Sequence, residues 1–132
     1  MNLAFVFLRK FWISILLCTA IFALCFMNTD PLPVAPLPDF DKLVHILMFM
    51  GLSGAIFFDN TCYLRQSIRK RRIFFGSFLL PVLIGGLIEI VQALTSYRTG
   101  DWGDFFSNAI GALIGSLICF LINRFLKPAI NG

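Results

Sequence analysis

The sequence predicts an all-α integral membrane protein, a bundle of four transmembrane helices with both termini in the cytoplasm. Three observations predict this class: an apolar composition, four apolar stretches near spanning length, and an uneven distribution of basic residues. Hydrophobic residues make up 58% of the 132 residues and charged residues 14%, whereas a soluble domain is roughly 45–50% apolar. We therefore interpret residues 1–132 as a single transmembrane domain.

The four apolar stretches cover residues 11–27, 43–58, 73–95 and 105–126. Each approaches or exceeds the roughly 17–25 residues that a membrane-spanning helix needs. The first stretch lacks the small-residue cleavage site of a signal peptide, so we interpret it as a retained span. The second reaches spanning length only if Asp41, Lys42 and Asp59 lie at the membrane interfaces.

The basic residues predict the orientation of the bundle. Nine of the eleven Lys and Arg residues lie before the first span, in the loop 60–72 or at the end of the fourth span. The positive-inside rule makes these three regions cytoplasmic. We attribute the basic loop to orientation and attraction to anionic lipids, and we predict no nucleic-acid partner. The loop 28–41 is then outside, and its four prolines favour an extended path that is either a lid over a pocket or a tether.

Polar side chains gather at the predicted outer ends of the last three spans. The set consists of Asp41, His45, Glu89, Gln92, Arg98, Asp101, Asp104 and Asn108. Spacings of three, four and seven residues place the members of each span on one helix face. At a rise of about 1.5 Å per residue, those within the spans lie roughly 5–10 Å from the outer boundary. A charged side chain in a bilayer costs at least about 2.5–3.5 kcal/mol, so this grouping predicts a polar pocket inside the bundle.

These residues form an ordered pattern that resembles a known family. The pattern reads Asp41-Lys42-x-x-His45, then Glu89-x-x-Gln92, then Arg98-x-x-Asp101-x-x-Asp104-x-x-x-Asn108-x-x-Gly111-x-x-x-Gly115. It resembles the VanZ-like proteins, small bacterial membrane proteins named for a protein associated with resistance to the glycopeptide teicoplanin. The resemblance implies a multi-pass protein of the bacterial cytoplasmic (inner) membrane, with its site facing outside and a role in the cell envelope or in antibiotic resistance.

One imidazole among several carboxylates indicates the chemistry of this pocket. We predict His45, Glu89 and Asp104 as catalytic residues and as candidate ligands for a divalent cation such as Zn²⁺, Mn²⁺ or Mg²⁺. Without a metal, the same groups can serve as a general acid and base. The predicted substrate-binding residues are Asp41, Lys42, Gln92, Arg98, Asp101 and Asn108, and the two cations among them suit an anionic phosphate or carboxylate. The enzyme hypothesis is a membrane-embedded hydrolase or transferase acting on a lipid-linked envelope component.

Two non-enzymatic functions stay open. A binding or shielding protein would capture membrane lipid head groups or a lipoglycopeptide without turnover, and a small transporter would need to act as an oligomer. Individual residues also have structural alternatives. Asp41 can cap the second span, and Pro81 with Gly85 predicts a kink in the third. Gly111 and Gly115 favour close helix packing, either within the chain or in an oligomer.

Overall fold

The computed structural model describes residues 2–27, 39–63, 70–95 and 100–130, and the regular structure in these ranges is helical throughout. Five helices follow one another: α1 (Leu3–Lys10), α2 (Trp12–Phe26), α3 (Phe40–Tyr63), α4 (Lys70–Leu94) and α5 (Trp102–Ile130). The all-α prediction is confirmed for this part of the chain. Arg98, residues 28–38 of the predicted outer loop and residues 64–69 of the predicted basic loop lie outside the described residues.

The helices α3, α4 and α5 are long and apolar enough to cross a membrane. The helices α1 and α2 meet at a bend of 78° and supply a fourth crossing only if the pair counts as one span. By itself α2 has 15 residues, or about 22 Å at about 1.5 Å per residue, against a hydrocarbon core of roughly 30 Å. The predicted first span, 11–27, corresponds to α2, and the separate helix α1 was not predicted.

Large apolar side chains cover the outside of the bundle. Leu83 and Ile90 on α4 are 69% and 62% exposed, and Phe125 on α5 is 68% exposed. A soluble monomer rarely exposes large continuous apolar surfaces, because contact with water would be unfavourable. Together with the length of the helices, this surface defines a membrane protein.

The backbones of α3 and α5 approach closely at two glycines of α5. A Cβ atom at Gly111 would collide with the carbonyl oxygen of Ile46, and one at Gly115 would collide with that of Met50. Small residues permit such close approach of helices in membranes. The predicted glycine stripe therefore packs within the chain, and the oligomer predicted through Gly111 and Gly115 would need a different surface.

A buried serine joins α3, α4 and α5 near the middle of the bundle. The Ser53 hydroxyl lies 2.8 Å from the carbonyl oxygen of Ser77 and 2.9 Å from that of Ala112. In a helix the Ser77 carbonyl would accept from the N–H of residue 81, but Pro81 has no N–H to donate. Ser53 supplies the missing donor, which explains how α4 continues through Pro81 as one helix.

Two polar side chains attach the ends of α2 to its neighbours. Asp59 of α3 accepts from the backbone N–H of Ser14 at 3.0 Å and from its hydroxyl at 2.6 Å. Gln92 of α4 donates from Nε2 to the carbonyl oxygen of Cys25 at 3.0 Å. Terminal N–H and C=O groups of a helix lack partners within that helix. These two bonds supply such partners to α2 from α3 and α4. Asp59 is only 1% exposed, so it is a buried acceptor, and its place at the membrane interface stays a prediction. The apolar core beside α2 consists of Ile21, Cys25, Phe49, Leu52, Ile56 and Ile88.

Candidate functional site

A histidine and an asparagine meet where α3 and α5 begin. His45 Nδ1 lies 2.8 Å from Asn108 Oδ1, and both side chains are buried. The amide oxygen can only accept, so the pairing requires a proton on Nδ1. In neutral histidine the lone pair then belongs to Nε2. Asn108 thus fixes both the orientation of the imidazole and the nitrogen that is left for a ligand.

Two carboxylates face that nitrogen. Asp41 Oδ1 and Asp104 Oδ2 each lie 3.9 Å from His45 Nε2, and one ligand atom from each residue lies within 4.8 Å of the other two. We call Asp41, His45, Asp104 and Asn108 the histidine cluster. One nitrogen and two carboxylate oxygens suit a divalent cation, and hydrogen bonding of the other ring nitrogen is the usual arrangement behind a metal-bound histidine. The Asp41 side chain is 70% exposed, against 16% for Asp104 and 6% for His45, so the cluster opens at the end of the bundle.

Glu89 lies beside this cluster and does not belong to it. Its Oε2 accepts a hydrogen bond from the backbone N–H of Asp101 at 3.0 Å, and Asp101 Oδ1 accepts from the N–H of Gly103 at 2.9 Å. Gly100 packs so tightly on α4 that a Cβ there would lie 2.7 Å from the Glu89 carbonyl oxygen. Among the described residues, the set whose ligand atoms lie within 4.8 Å of one another is Asp41, His45 and Asp104. It shares His45 and Asp104 with the predicted metal set, in which the third member is Glu89.

One oxygen of Glu89 and one nitrogen of Asn108 have no partner. Glu89 Oε1 and Asn108 Nδ2 are buried without a hydrogen bond among the described residues. An unsatisfied buried polar group costs about 1–3 kcal/mol, more if it is charged. Glu89 also lines a cavity of about 400 Å³ between α4 and the first turns of α5, whose other lining residues are Gly86, Ile90, Ala93, Gly100, Asp101, Trp102 and Phe105.

Two further predicted binding residues, Lys42 and Gln92, make side-chain bonds outside the histidine cluster. Lys42 Nζ contacts Asp39 Oδ1 at 2.6 Å at the exposed edge of the site, and a Cβ at Gly103 would lie 3.0 Å from Lys42 Cε. Gln92 is turned towards α2, where its Nε2 donates to the carbonyl oxygen of Cys25, so this bond supports the bundle. Arg98 was predicted to bind an anion, and it lies outside the described residues.

Gly85 contributes to the site in a way that the sequence analysis did not predict. Gly85 was predicted to form a kink with Pro81, but a Cβ at this position would lie 3.1 Å from both Cβ and Nδ2 of Asn108. Its missing side chain makes room for Asn108 between α3 and α4. The spacing Gly85-x-x-x-Glu89 places the glycine on the polar face of its span. This spacing is the feature of the sequence that could have predicted the role of Gly85.

The fold and the site define a helical membrane protein with a histidine and carboxylate cluster at one end of its bundle. Residues 1–123 match the family model described as VanZ/LLP1. The chain belongs to this family, as the polar pattern predicted. No curated protein and no solved structure matches the chain significantly.

Proposed function

We propose that the protein spans the bacterial cytoplasmic membrane with both termini inside and acts on a lipid-linked component of the cell envelope at the outer leaflet. The reaction that the geometry supports best is metal-assisted hydrolysis of a phosphate linkage. The observation that carries this proposal is the direction of His45 Nε2 towards Asp41 and Asp104. Membership of the VanZ/LLP1 family supports the envelope setting.

Charge favours a cation in the histidine cluster before any phosphate. Asp41 and Asp104 both face Nε2 of His45, so the two carboxylates of the cluster would repel an anion. A divalent cation held by Asp41, His45 and Asp104 would offset the two carboxylates, polarise a phosphoryl oxygen and activate a bound water. Lys42, at the exposed edge of the site, adds a further positive charge for an incoming phosphate.

Asn108 and Glu89 have separate roles in the proposed reaction. Asn108 holds the imidazole in one orientation, which keeps Nε2 available. Glu89 has one oxygen fixed by the Asp101 N–H and one without a partner. The free oxygen can take the proton of the attacking water, which is the task of a general base. The α4–α5 connection thereby holds Glu89 in place without occupying the oxygen that this task requires.

Hydrolysis is tested with the purified full-length chain in lipid nanodiscs and a polyprenyl diphosphate-linked sugar as substrate. We expect release of a water-soluble sugar phosphate only when Mn²⁺, Mg²⁺ or Zn²⁺ is present. His45→Gln and Asp104→Asn should lower the rate by about 100-fold or more. The matched control is Asp39→Asn, which removes an exposed carboxylate at the same end of the bundle and should leave the rate nearly unchanged. Metal-independent release, or full activity of Asp104→Asn, would contradict the proposal.

A non-catalytic binding or shielding function is the second candidate. The specific observation that favours it is the bond between Glu89 and the Asp101 backbone, since this carboxylate already has a structural role. Glu89→Gln separates the two functions, because glutamine keeps an oxygen that can accept from Asp101 and loses the basic oxygen. An enzyme should bind the substrate and lose about 100-fold or more in turnover. A binding protein should retain both its affinity and any teicoplanin resistance that it confers.

A further inference from the structure

A cavity of about 400 Å³ separates α4 from the first turns of α5. Its walls are apolar over most of their area: Gly86, Ile90 and Ala93 line it from α4, and Trp102 and Phe105 from α5. Ile90 is 62% exposed and Trp102 is 77% exposed, so the cavity opens sideways on the outer surface of the bundle. In a membrane protein this surface faces lipid, so a hydrocarbon chain can enter directly from the bilayer.

The cavity also holds one polar group that lacks a partner. Glu89 is 8% exposed, and its Oε1 makes no hydrogen bond among the described residues. A wholly apolar guest would leave this oxygen unsatisfied, which is unfavourable. A suitable guest therefore has a hydrocarbon chain for the walls and a hydroxyl at its polar end for Oε1.

We propose that this cavity holds the hydrocarbon anchor of a lipid-linked sugar phosphate, with a hydroxyl of the sugar donating to one lone pair of Glu89 Oε1 and the other lone pair left for the proton of the attacking water. The inference rests on the proposed function for the identity of the head group. Position supports it: Phe105 lines the cavity, and its neighbour in the chain, Asp104, belongs to the histidine cluster. A molecule anchored in the cavity therefore has its polar end beside the cluster.

The glycine at position 86 provides a variant that fills the cavity. A Cβ at Gly86 would lie 3.3 Å from Cε2 of the Phe105 ring, so Gly86→Leu occupies the space that the chain requires. Gly51→Leu is the matched control, because a Cβ at Gly51 on α3 meets nothing within 4 Å. Ile90→Trp narrows the opening from an exposed position and serves as a second variant if Gly86→Leu does not fold.

The test uses the full-length chain in nanodiscs without divalent cations, a polyprenyl diphosphate-linked sugar with a diazirine in its hydrocarbon chain, and mass spectrometry of the labelled residues. We expect labelling of Ile90 and Phe105. Labelling should fall about tenfold at both residues in Gly86→Leu and at Phe105 in Ile90→Trp, because each variant excludes several methylene groups. The Gly51→Leu variant should be labelled to the same extent as the wild type. Glu89→Leu should weaken labelling by about threefold to tenfold through loss of the acceptor.

Labelling does not depend on turnover, so the two proposals can fail separately. His45→Gln should abolish hydrolysis and leave labelling of the cavity intact. Equal labelling of Gly86→Leu and wild type would overturn the inference while leaving the histidine cluster unaffected. A phosphatidylglycerol probe with a diazirine in its acyl chain is the competing lipid source. Labelling of Ile90 and Phe105 by that probe to the same extent would show general contact with bilayer lipid and would also overturn the inference.

Discussion

His45 can present one defined nitrogen because of a residue on another helix. Asn108 accepts from Nδ1 at 2.8 Å, so Nε2 is left between Asp41 and Asp104. Nothing in the segment around His45 specifies this orientation, since Asn108 lies 63 residues further along the chain. The pairing depends on Gly85, which clears the space that Asn108 occupies. The orientation of the imidazole is therefore a property of three helices together.

Replacing Asn108 by leucine should separate metal binding from folding. The substitution removes the partner of His45 Nδ1 and also removes the unsatisfied Nδ2, so the effects on stability partly offset each other. We expect the free energy of unfolding to change by no more than about 1 kcal/mol, because hydrogen bonds between membrane helices average about 0.6 kcal/mol. Affinity for Mn²⁺ or Zn²⁺, measured by calorimetry, should fall about 10–100-fold. Asn60→Leu is the control, because Asn60 bonds only within α3, and unchanged affinity in Asn108→Leu would refute the role assigned to Asn108.

At the scale of helices, α4 depends on α3 to continue through its proline. The Ser53 hydroxyl contacts the Ser77 carbonyl, which Pro81 leaves without an intrahelical donor. We expect Ser53→Ala to lower the free energy of unfolding by about 1 kcal/mol. Pro81→Ala restores an N–H that can bond Ser77, so Ser53→Ala should have a smaller effect in the Pro81→Ala background. Unfolding of the four proteins in detergent completes the double-mutant cycle, and additive effects would exclude this coupling.

The packing of α3 on α5 leaves no space at the two glycines of α5. Gly111→Ala should lower the free energy of unfolding by about 1–3 kcal/mol, because the new methyl group meets the Ile46 carbonyl in the backbone of α3. Gly51→Ala is the matched control, since that position is open and alanine favours helix by about 1 kcal/mol over glycine. The thermal midpoint in detergent is the measurement. A rise for both variants would mean that α3 and α5 are further apart than the structure shows.

For the molecule as a whole, sequence patterns predicted the class of fold and the end of the bundle that holds the polar residues. Composition and helical spacing are local, so they identified α3, α4, α5 and the residues of the histidine cluster. They placed Asp41 on the same helix face as His45, but they favoured Glu89 as a metal ligand because a carboxylate within a span is more costly than one at the interface. The bond between Asp59 and Ser14 was not predicted either, because the two residues lie 45 positions apart in the chain. The helix α1 was also not predicted, since its eight residues are far fewer than a membrane-spanning helix needs.

The number of crossings determines whether the N-terminus lies on the same side of the membrane as the loop 60–72. Asp59, near the end of α3, bonds the first turn of α2, and Gln92, near the end of α4, bonds its last turn. The two residues thus mark opposite ends of α2. We therefore predict that α2 traverses the bundle between these two levels although it is short, and that α1 lies along the cytoplasmic interface. Nine basic residues on the predicted inner side against two outside favour the same topology.

Labelling intact cells with a membrane-impermeant maleimide tests this topology. Single cysteines at Ala4, Val34 and Ser67 are introduced into a chain whose four native cysteines are replaced by alanine. We expect label at position 34 only, and label at positions 4 and 67 only after the cells are permeabilised. Label at positions 4 and 34 in intact cells would mean that α2 does not cross and that three spans place the termini on opposite sides. Label at positions 4 and 67 but not at 34 would mean that the bundle is inverted, which would place the histidine cluster at the inner leaflet, where an outer-leaflet substrate has no access to it.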